Sequence, residues 1–545
     1  KAGKLKALVD LLEASPLTPG HTGIGHTRWA THGGPTDVNA HPHLGDDGKL
    51  ALIHNGIIEN FAEIKVELLA KGYEFESETD TAVAAILLGD VYSEVGNLTE
   101  AMRLVVNRLE GAFTLLAVHT DSPHVIVAAR HNSPLVIGLG EGENFLGSDV
   151  AAFVEYTHRA AAVGQNQVVT ITPESVEVIG FDGSPVAIEE YEIAWDASAS
   201  DKGGWSSFMA KEITENPDAV ANTVRGRVVD GLVQVPELTE LGDDVLNGIN
   251  RIILVACGTA SYAGLVGSYA IEQWARIPVE VQLSHEFRYR DPVITPETLI
   301  ISISQSGETM DTLMAIRYAK EQGAKVLSIC NTQGATLARE SDATIYTHAG
   351  PEVAVASTKA FTAQITAGLL VALSLGWLRK AHSESVLKEL GKELLKLPRQ
   401  VKKVLESLDR MRDLGREYAN AKSVLFLGRN VGYPIAMEGA LKLKELAYIH
   451  AEGFAAGELK HGPIALIESG QPVIVVVPSP KGEDSLHPKV ISNIQEIKAR
   501  GAKVIAIAEV GDELVGQFAD EVFSIPVAHP MMAAVLSVIP LQTFA

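Results

Sequence analysis

The chain has 545 residues, of which 46% are hydrophobic and 21% are charged, as in ordinary globular proteins. At roughly 150 residues per domain, this length predicts three or four domains with several buried cores. The formal net charge of −23 argues against non-specific binding to nucleic acid or anionic lipid, because those partners attract basic surfaces. The net charge does not exclude binding of a small phosphorylated ligand, because such a ligand needs only a few local hydrogen-bond donors.

The two cysteines, Cys257 and Cys330, each end an apolar run (RIILVAC and KVLSIC), which predicts two reduced core thiols. Their number and spacing provide neither a disulfide framework nor a paired-cysteine metal motif. Polar residues interrupt the apolar runs before the ~18 residues needed to cross a bilayer. The opening KAGKLKALVDLLE predicts a helix without the features of a signal peptide. A reducing, cytoplasmic compartment is therefore expected.

Residues 1–195 contain short alternating runs such as LALIHN, FTLLAVHT and HVIVAAR, with helical patterns such as IENFAEIKVELLAKG between them. This mixture predicts an α+β domain with a substantial antiparallel sheet. The run GIGHTRWATHGG alternates like a strand and ends in a Gly-Gly turn. Its surroundings are rich in histidine, but His26, His32, His41 and His43 lack a cysteine or carboxylate at ligand spacing, so a metal site is weakly indicated. Taken alone, Asn55-Gly56 predicts a hairpin turn.

Residues 196–207, DASASDKGGWSS, have the composition of a linker, and a helix is predicted from about Phe208. From Arg251 onward, continuous apolar strands alternate with helix-length segments, which predicts parallel doubly wound sheets. A charged helical stretch separates two similar sets of strands. RIILVACGT matches KSVLFLGRN, and TLIISISQSGET matches PVIVVVPSPKGE. We therefore predict two tandem α/β domains, with segments at residues 1–195, 196–225 (linker and helix), 226–383 and 384–545.

Polar side chains follow the predicted strand LIISIS in the sequence QSGET. Ligands of doubly wound sheets bind at the carboxyl ends of strands, and hydroxyls with helix-start amides suit a phosphate without a lysine. A helix cap is the alternative interpretation of one such turn, but four donors in six residues favour a phosphate site. A second turn, CGTAS after RIILVA, adds Ser261 as a candidate. Neither turn has dinucleotide or P-loop spacing, so a nucleotide is not indicated. The main candidates are Thr259, Ser304, Gln305, Ser306 and Thr309.

Ionisable groups interrupt a later apolar helix at Glu438, Lys442 and Glu445, whose spacings of four and three residues put them on one helical face. A solvated salt-bridge face is the ordinary interpretation of such a pattern. An aldose–ketose isomerase would need a base to move a proton between C1 and C2 and a group to assist ring opening. A carboxylate near a lysine and a histidine, such as His461 in ELKHGP, could supply both.

The segments ACGTASYAG, SISQSGETMDTL, VASTKAFTAQ and EGALKLKELAYIHAEGFAAGELKHGP together resemble the tandem SIS (sugar isomerase) domains of the glucosamine-6-phosphate synthase family. The resemblance covers nearly all of residues 208–545. It implies that the Ser/Thr turns hold a sugar phosphate and that Val355 and Ser357 line the sugar site. It further implies that Glu445 is the proton-transfer base, that Lys442 supports it, and that His461 assists ring opening. Ala260 departs from the serine that the family often has after CGT.

In the first half, HTRWATHG, NAHPH, HNGIIEN and SETDT resemble class II glutamine amidotransferase domains, which are N-terminal-nucleophile (Ntn) hydrolases. The resemblance implies an oxyanion hole from Asn55 and Gly56. It also implies a grip on the α-carboxylate and α-amino group of glutamine by Arg28 and Asp80. Thr31, His32 and Trp29 correspond to residues that line the site, Trp29 to the aromatic that gates ammonia passage.

Two functional groups of the family are expected outside these 545 residues. The family's nucleophile is an N-terminal cysteine, whereas the chain begins at Lys1 and its first cysteine is Cys257. The family's C-terminal tail contributes a lysine that forms a Schiff base with the ketose, whereas the chain stops at Ala545. We expect the glutaminase domain to lack its N-terminal part and the second SIS domain to lack its tail. The residues present should then bind glutamine and isomerise the sugar phosphate.

The resemblance as a whole implies glutamine-dependent conversion of fructose 6-phosphate to glucosamine 6-phosphate and glutamate. No metal or organic cofactor is expected, and the family's bacterial members are typically homodimers with composite sites. Two alternatives differ in class. An amidophosphoribosyltransferase shares the HTRWATHG half but needs an acidic pair after a strand, which the second half lacks. A non-catalytic sugar-phosphate sensor would not need Lys442, Glu445 and His461 together.

Overall fold

The structure is a computed structural model and describes residues 1–28, 30–193, 202–481 and 485–545. The chain forms two compact units, Lys1–Ala197 and Ser198–Ala545. Each unit has its own hydrophobic cores. The prediction that residue 383 divides the second unit, and the predicted linker boundaries, stay predictions.

The first unit contains four α-helices and ten β-strands in its described part. The helices are α1 (Leu5–Ala14), α2 (Phe61–Ala70), α3 (Asp80–Val95) and α4 (Leu98–Val106). The strands are β1 (His43–Gly45), β2 (Leu50–Ile58), β3 (Gly111–His119), β4 (Ile126–His131), β5 (Val136–Leu139), β6 (Asn144–Gly147), β7 (Arg159–Ala162), β8 (Gln167–Ile171), β9 (Val176–Gly180) and β10 (Glu190–Glu192).

Two antiparallel sheets organise this unit, which confirms the predicted α+β class. One sheet has the order β1-β2-β3-β4-β8-β9 and the other the order β10-β7-β5-β6. Helix α3 begins where the Thr79 hydroxyl accepts a hydrogen bond from the Ala82 amide, and it buries most of its length against the larger sheet. The strand expected in GIGHTRWATHGG was wrong, since residues 15–28 and 30–42 form neither helix nor strand.

The second unit is an α/β structure. Its helices are α5 (Phe208–Thr214), α6 (Asn216–Val224), α7 (Asp243–Gly248), α8 (Gly258–Trp274), α9 (Ser284–Phe287), α10 (Met310–Glu321), α11 (Thr336–Glu340), α12 (Lys359–Leu378), α13 (Glu384–Leu405), α14 (Asp409–Glu417), α15 (Gly432–Ala447), α16 (His487–Ala499) and α17 (Pro530–Phe544). Its strands are β11 (Val228–Val229), β12 (Leu232–Val233), β13 (Arg251–Ala256), β14 (Val279–Leu283), β15 (Thr298–Ser304), β16 (Lys325–Cys330), β17 (Ala343–Tyr346), β18 (Ser423–Gly428), β19 (His450–Ala455), β20 (Pro472–Val476), β21 (Lys503–Glu509) and β22 (Glu521–Ile525).

Two five-stranded parallel sheets repeat the same order, β14-β13-β15-β16-β17 and β19-β18-β20-β21-β22. This confirms the predicted doubly wound sheets, whose strands are buried apolar runs. Strand β19 was not predicted, because HAEGFA carries a charge and a glycine among its few apolar residues. In each sheet the chain order reverses between the first and third strands of the repeat. Ligands of such sheets bind at that reversal, beyond the carboxyl ends of the strands.

Helix α12 lies at the centre of the second unit. It is long and apolar enough to cross a membrane, but 89% of its most hydrophobic window is buried inside the structure. One hydrophobic core continues from the first sheet through α12 and α17 to the second sheet. The helix is therefore a core element of the second unit, and it brings the two repeats together.

Candidate active sites

A cavity of about 170 Å³ lies at the carboxyl ends of β13 and β15. Six of the seven residues predicted to bind the sugar phosphate line it; the exception is Val355, which is 82% exposed on the loop before α12. Ser261 is buried on α8 and donates to the Gly258 carbonyl, so it does not join the lining. The lining residues are Cys257, Thr259, Ala260, Ile303, Ser304, Gln305, Ser306, Thr309, Ser357 and Gln364.

The loop after β15 arranges its hydroxyls toward this cavity. The Ser304 hydroxyl accepts from the Gly307 amide (3.0 Å) and lies 3.0 Å from the Thr309 hydroxyl. Thr309 precedes α10 without capping it, so no side-chain cap occupies the first-turn amides of that helix. The alternative of a simple helix cap is therefore wrong. Hydroxyls and free helix-start amides together can hold a phosphate.

Gly307 is required for the shape of this loop. Its φ of +67° lies in the left-handed region, and a Cβ there would be 2.5 Å from the Cβ of Ala335 and 2.7 Å from the sulfur of Cys330. Cys330 is a buried free thiol, as predicted. Cys257 is also free but only half-buried, because it stands at the end of β13 in the cavity wall rather than in the core.

The matching strand end of the second repeat differs in sequence. The positions that match the first repeat's Ser304-Gln305-Ser306 are Pro478-Ser479-Pro480, after β20. Proline has no N–H and no hydroxyl, so this strand end offers fewer donors for a phosphate.

The three ionisable residues of α15 lie against the phosphate cavity. The Lys442 ammonium is 2.6 Å from a Glu445 oxygen and 3.4 Å from a Glu438 oxygen. It also donates to the Thr259 hydroxyl at 3.0 Å, and that hydroxyl donates to Glu438 at 3.3 Å. Glu438 and Lys442 are fully buried, so the alternative of a solvated salt-bridge face is wrong for this pair. The cluster connects the second repeat directly to the first.

Glu438 and Glu445 differ in environment. Burial raises the pKa of Glu438 to about 8, although the neighbouring Lys442 acts in the opposite direction. One Glu438 oxygen is buried and has no hydrogen-bond partner among the described residues. The Glu445 side chain is one-third exposed (33%) and is held by the lysine. It is therefore the accessible carboxylate of the pair.

His461 ends a 3₁₀ helix, Ala456–His461, and is exposed. Within the described part of the same chain it forms no hydrogen bond or ion pair with Lys442 or Glu445. The structure therefore brings together two of the three predicted isomerase groups.

A second cavity, of about 480 Å³, lies in the first unit beside β2. Arg28, Thr31, Asn55, Gly56 and Asp80, which were predicted to bind glutamine, all line it. His32 is adjacent, with its Nδ1 3.8 Å from an Asp80 oxygen. Trp29 lies outside the described residues. The prediction thus identified residues that are distant in sequence and share one cavity.

Asn55 and Gly56 lie within strand β2, opposite Thr114 and Phe113, so the alternative of a hairpin turn is wrong. Gly56 has a φ of +130°, and a Cβ there would be 2.0 Å from the Ala112 carbonyl oxygen. Only glycine fits this backbone. The Asn55 side chain is exposed at the cavity, where its amide and a backbone N–H could stabilise an oxyanion.

The two charged residues of this cavity are held by backbone groups. The Arg28 guanidinium donates to the carbonyl oxygens of His32 (2.5 Å), Gly33 (2.9 Å) and Gly34 (3.1 Å). Asp80 is buried at the start of α3 and accepts from the Ile58 amide at 3.0 Å. One fixed cation and one fixed anion on the wall suit a zwitterionic ligand.

His41 and His54 also line the cavity, and they were not predicted as glutamine-site residues. Burial lowers the pKa of His41 to about 3 and that of His54 to about 4, so both are neutral near pH 7. Among the described residues, no group of three or more His, Cys, Asp or Glu side chains is placed to hold a metal ion.

Two known domain families match three parts of the chain. The SIS domain family matches residues 246–374 and 417–545, and the glutamine amidotransferase domain family matches residues 14–178. A glutamine–fructose-6-phosphate aminotransferase (isomerizing) from Leifsonia xyli is 68% identical over 545 residues, which are 100% of this chain and 88% of that protein. The protein of that name from Corynebacterium glutamicum is 58% identical over 548 residues, with the same coverage of 100% and 88%.

Solved structures resemble the second unit. The C-terminal domain of glucosamine-fructose-6-phosphate aminotransferase from Francisella tularensis is 38% identical, with a TM-score of 0.59, and the match covers 63% of this chain and 96% of that one. Tagatose-6-phosphate ketose/aldose isomerase from Escherichia coli is 18% identical, with a TM-score of 0.51 and coverage of 62% and 92%, which shows a shared fold. With relatives of this identity along its whole length, two SIS domains and an amidotransferase domain, the chain belongs to the family of isomerizing glutamine–fructose-6-phosphate aminotransferases.

Proposed function

We propose that the protein converts fructose 6-phosphate and glutamine to glucosamine 6-phosphate and glutamate. Glutamine would bind in the cavity of the first unit and supply ammonia, and the sugar phosphate would bind and isomerise in the second unit. The observation that carries the proposal is the hydrogen bond from Lys442 to Thr259, which joins an acid–base cluster to a hydroxyl-lined cavity. Two relatives at 58% and 68% identity are glutamine–fructose-6-phosphate aminotransferases (isomerizing), which supports the same reaction.

The isomerase step can be written from the residues present. The phosphate would be held by the hydroxyls of Thr259, Ser304, Ser306 and Thr309. The Glu445 carboxylate would remove a proton from C1 of the open ketose, leaving an enediolate with its negative charge on O2. The O1 proton would pass to O2, and Glu445 would return its own proton to C2, which gives the aldose. Lys442, at 2.6 Å, would hold the Glu445 carboxylate in its orientation. Glu438 would stay neutral behind them.

A homodimer in the cytoplasm is part of the proposal. Both cysteines are free thiols, as a reducing compartment requires. His461 is exposed and makes no contact with Glu445 within its own chain, as far as the described residues go. We therefore expect His461 to assist ring opening in a composite site of the homodimer. In that site His461 of one copy would lie near Lys442 and Glu445 of the other copy.

The test is isomerisation of fructose 6-phosphate without glutamine, followed through NADPH formation by glucose-6-phosphate dehydrogenase. We expect turnover by the wild type and a fall in kcat of about 100-fold or more in Glu445→Gln, the usual contribution of a general base. The KM should change little, because the phosphate contacts stay. Lys444→Gln is the matched control, since Lys444 is an exposed neighbour on the same helix. An unchanged rate in Glu445→Gln would refute the assignment of the base.

A further inference from the structure

Gln364 lies on α12 in the wall of the cavity at the ends of β13 and β15. Only 2% of its surface is exposed. It stands about two helical turns after Ser357, the sugar-site residue before the helix. Its neighbours in the cavity wall are the hydroxyls of Thr259, Ser304 and Thr309. A polar side chain thus enters the cavity from the helix that forms the centre of the unit.

The side-chain amide of Gln364 has no partner in the described part of the chain. Its Oε1 atom is buried without a hydrogen bond, and its Nε2 atom also makes none there. Other buried polar side chains nearby are paired: Thr362 donates to Asn216 at 2.6 Å, and Thr366 donates to the Thr362 carbonyl at 2.7 Å. A buried amide without partners destabilises a fold. Its presence here therefore points to a partner that the protein chain does not supply.

The chemistry of the cavity identifies that partner. A phosphate dianion accepts hydrogen bonds only, and the hydroxyls around it act as donors. The Gln364 amide offers one NH₂ donor, Nε2, which has no acceptor among the described residues, and this donor can serve a phosphate oxygen, whereas the Oε1 acceptor cannot. In a phosphate site this donor can form a hydrogen bond to a phosphate oxygen. If the site bound no such ligand, an apolar side chain would fill the same space without the free-energy cost of burying an unpaired amide.

We propose that Gln364 is a substrate-binding residue whose amide donates a hydrogen bond to the phosphate of the sugar phosphate. This inference rests on the proposed function, because it takes the cavity to be the phosphate site. The Nε2 donor gains an acceptor when the cavity is occupied, whereas the Oε1 acceptor has no partner in either state. Gln364 therefore stabilises the complex while it destabilises the free protein.

The experiment compares Gln364→Leu and Gln364→Met, which keep the volume and remove the amide, with Thr366→Val on the same helix. Thr366 makes its hydrogen bond within α12 and does not line the cavity. KM and kcat for fructose 6-phosphate isomerisation and the melting temperature without ligand are measured for each. We expect the KM of both Gln364 variants to rise about tenfold or more, the value of a hydrogen bond to a charged group. Their kcat should change less than about threefold, and their melting temperature without ligand should stay equal or rise. Thr366→Val should leave the KM unchanged.

The stability measurement separates binding from a structural role. An unchanged KM in the Gln364 variants overturns the inference, and so does a lower melting temperature or a failure to fold in both. Ser306→Ala distinguishes this failure from that of the proposed function. If Ser306→Ala raises the KM while the Gln364 variants do not, the cavity is the phosphate site and Gln364 is not part of it. If none of the three raises the KM, the phosphate site itself is wrongly placed.

Discussion

The substitution Glu438→Gln should make the protein more stable at neutral and alkaline pH. Glu438 is fully buried, and its pKa is raised by burial from an ordinary value of 4.5 to about 8. Glutamine has the shape of a protonated glutamate, so the contacts with Thr259 and Lys442 can be kept. Lys442 also keeps its 2.6 Å ion pair with Glu445. The variant therefore removes a proton equilibrium while it preserves the packing.

The size of the effect follows from the two pKa values. Between pH 4.5 and pH 8 the unfolded chain has lost this proton while the folded protein retains it, so the free energy of unfolding falls as the pH rises. Each unit of pKa difference corresponds to about 1.4 kcal/mol, so this group alone should lower wild-type stability by about 3 kcal/mol between pH 5 and pH 8. Above the folded pKa both states have lost the proton, and the loss levels off.

The assay is thermal unfolding of both proteins in matched buffers from pH 5 to pH 8.5. The variant's melting temperature should exceed the wild type's by a margin that grows with pH and levels off above about pH 8. Other titrating groups contribute equally to both proteins and cancel in the difference. Glu452→Gln, at an exposed position on β19, should follow the wild type throughout. If the difference in melting temperature between Glu438→Gln and the wild type were the same at every pH, Glu438 would be ionised in the folded protein like a carboxylate in water. That result would refute the reasoning.

Two further predictions concern the two cavities. Gly307→Ala should lower the melting temperature and raise the KM for fructose 6-phosphate at least tenfold, because the added Cβ would lie 2.5 Å from the Cβ of Ala335. Gly248→Ala is the control, since nothing lies within 4 Å of a Cβ at that position. Equal effects of the two substitutions would contradict the explanation. Arg28→Met should weaken glutamine binding, measured by calorimetry, by about tenfold or more because a charge-assisted hydrogen bond is lost. Arg103 forms an ion pair with Glu100, and the control Arg103→Met should leave glutamine binding unchanged. Unchanged glutamine binding in Arg28→Met would show that Arg28 does not bind glutamine.

The sequence predicted best those features that depend on neighbouring residues. The strands β13, β15, β18 and β20 are apolar runs ended by turn residues, so their positions could be read directly. The hydroxyls of Ser304, Ser306 and Thr309 lie within six residues at a strand end. The topology of a parallel sheet puts such residues in one place. The grouping of Arg28, Asn55 and Asp80 in one cavity came from the family resemblance.

Features that depend on distant packing were missed. Gln364 stands inside FTAQITAGLL, where one polar residue in an apolar run gives no sign of which neighbour it faces. The spacing of Glu438 and Lys442 indicated a shared helical face but not that the face is buried. That burial arises because α15 packs between a sheet of its own repeat and α8 of the other. The role of His461 in ring opening was inferred from its position in a family motif, and it stays a prediction.

The contact between Lys442 and Thr259 divides one site between two copies of a repeated fold. The first copy contributes the hydroxyl-lined strand end, and the second contributes the helix with the ionisable cluster. Where the first copy has Ser304 and Ser306, the second has Pro478 and Pro480. Under the proposed function the two copies are therefore complementary parts of one site, although they share one fold.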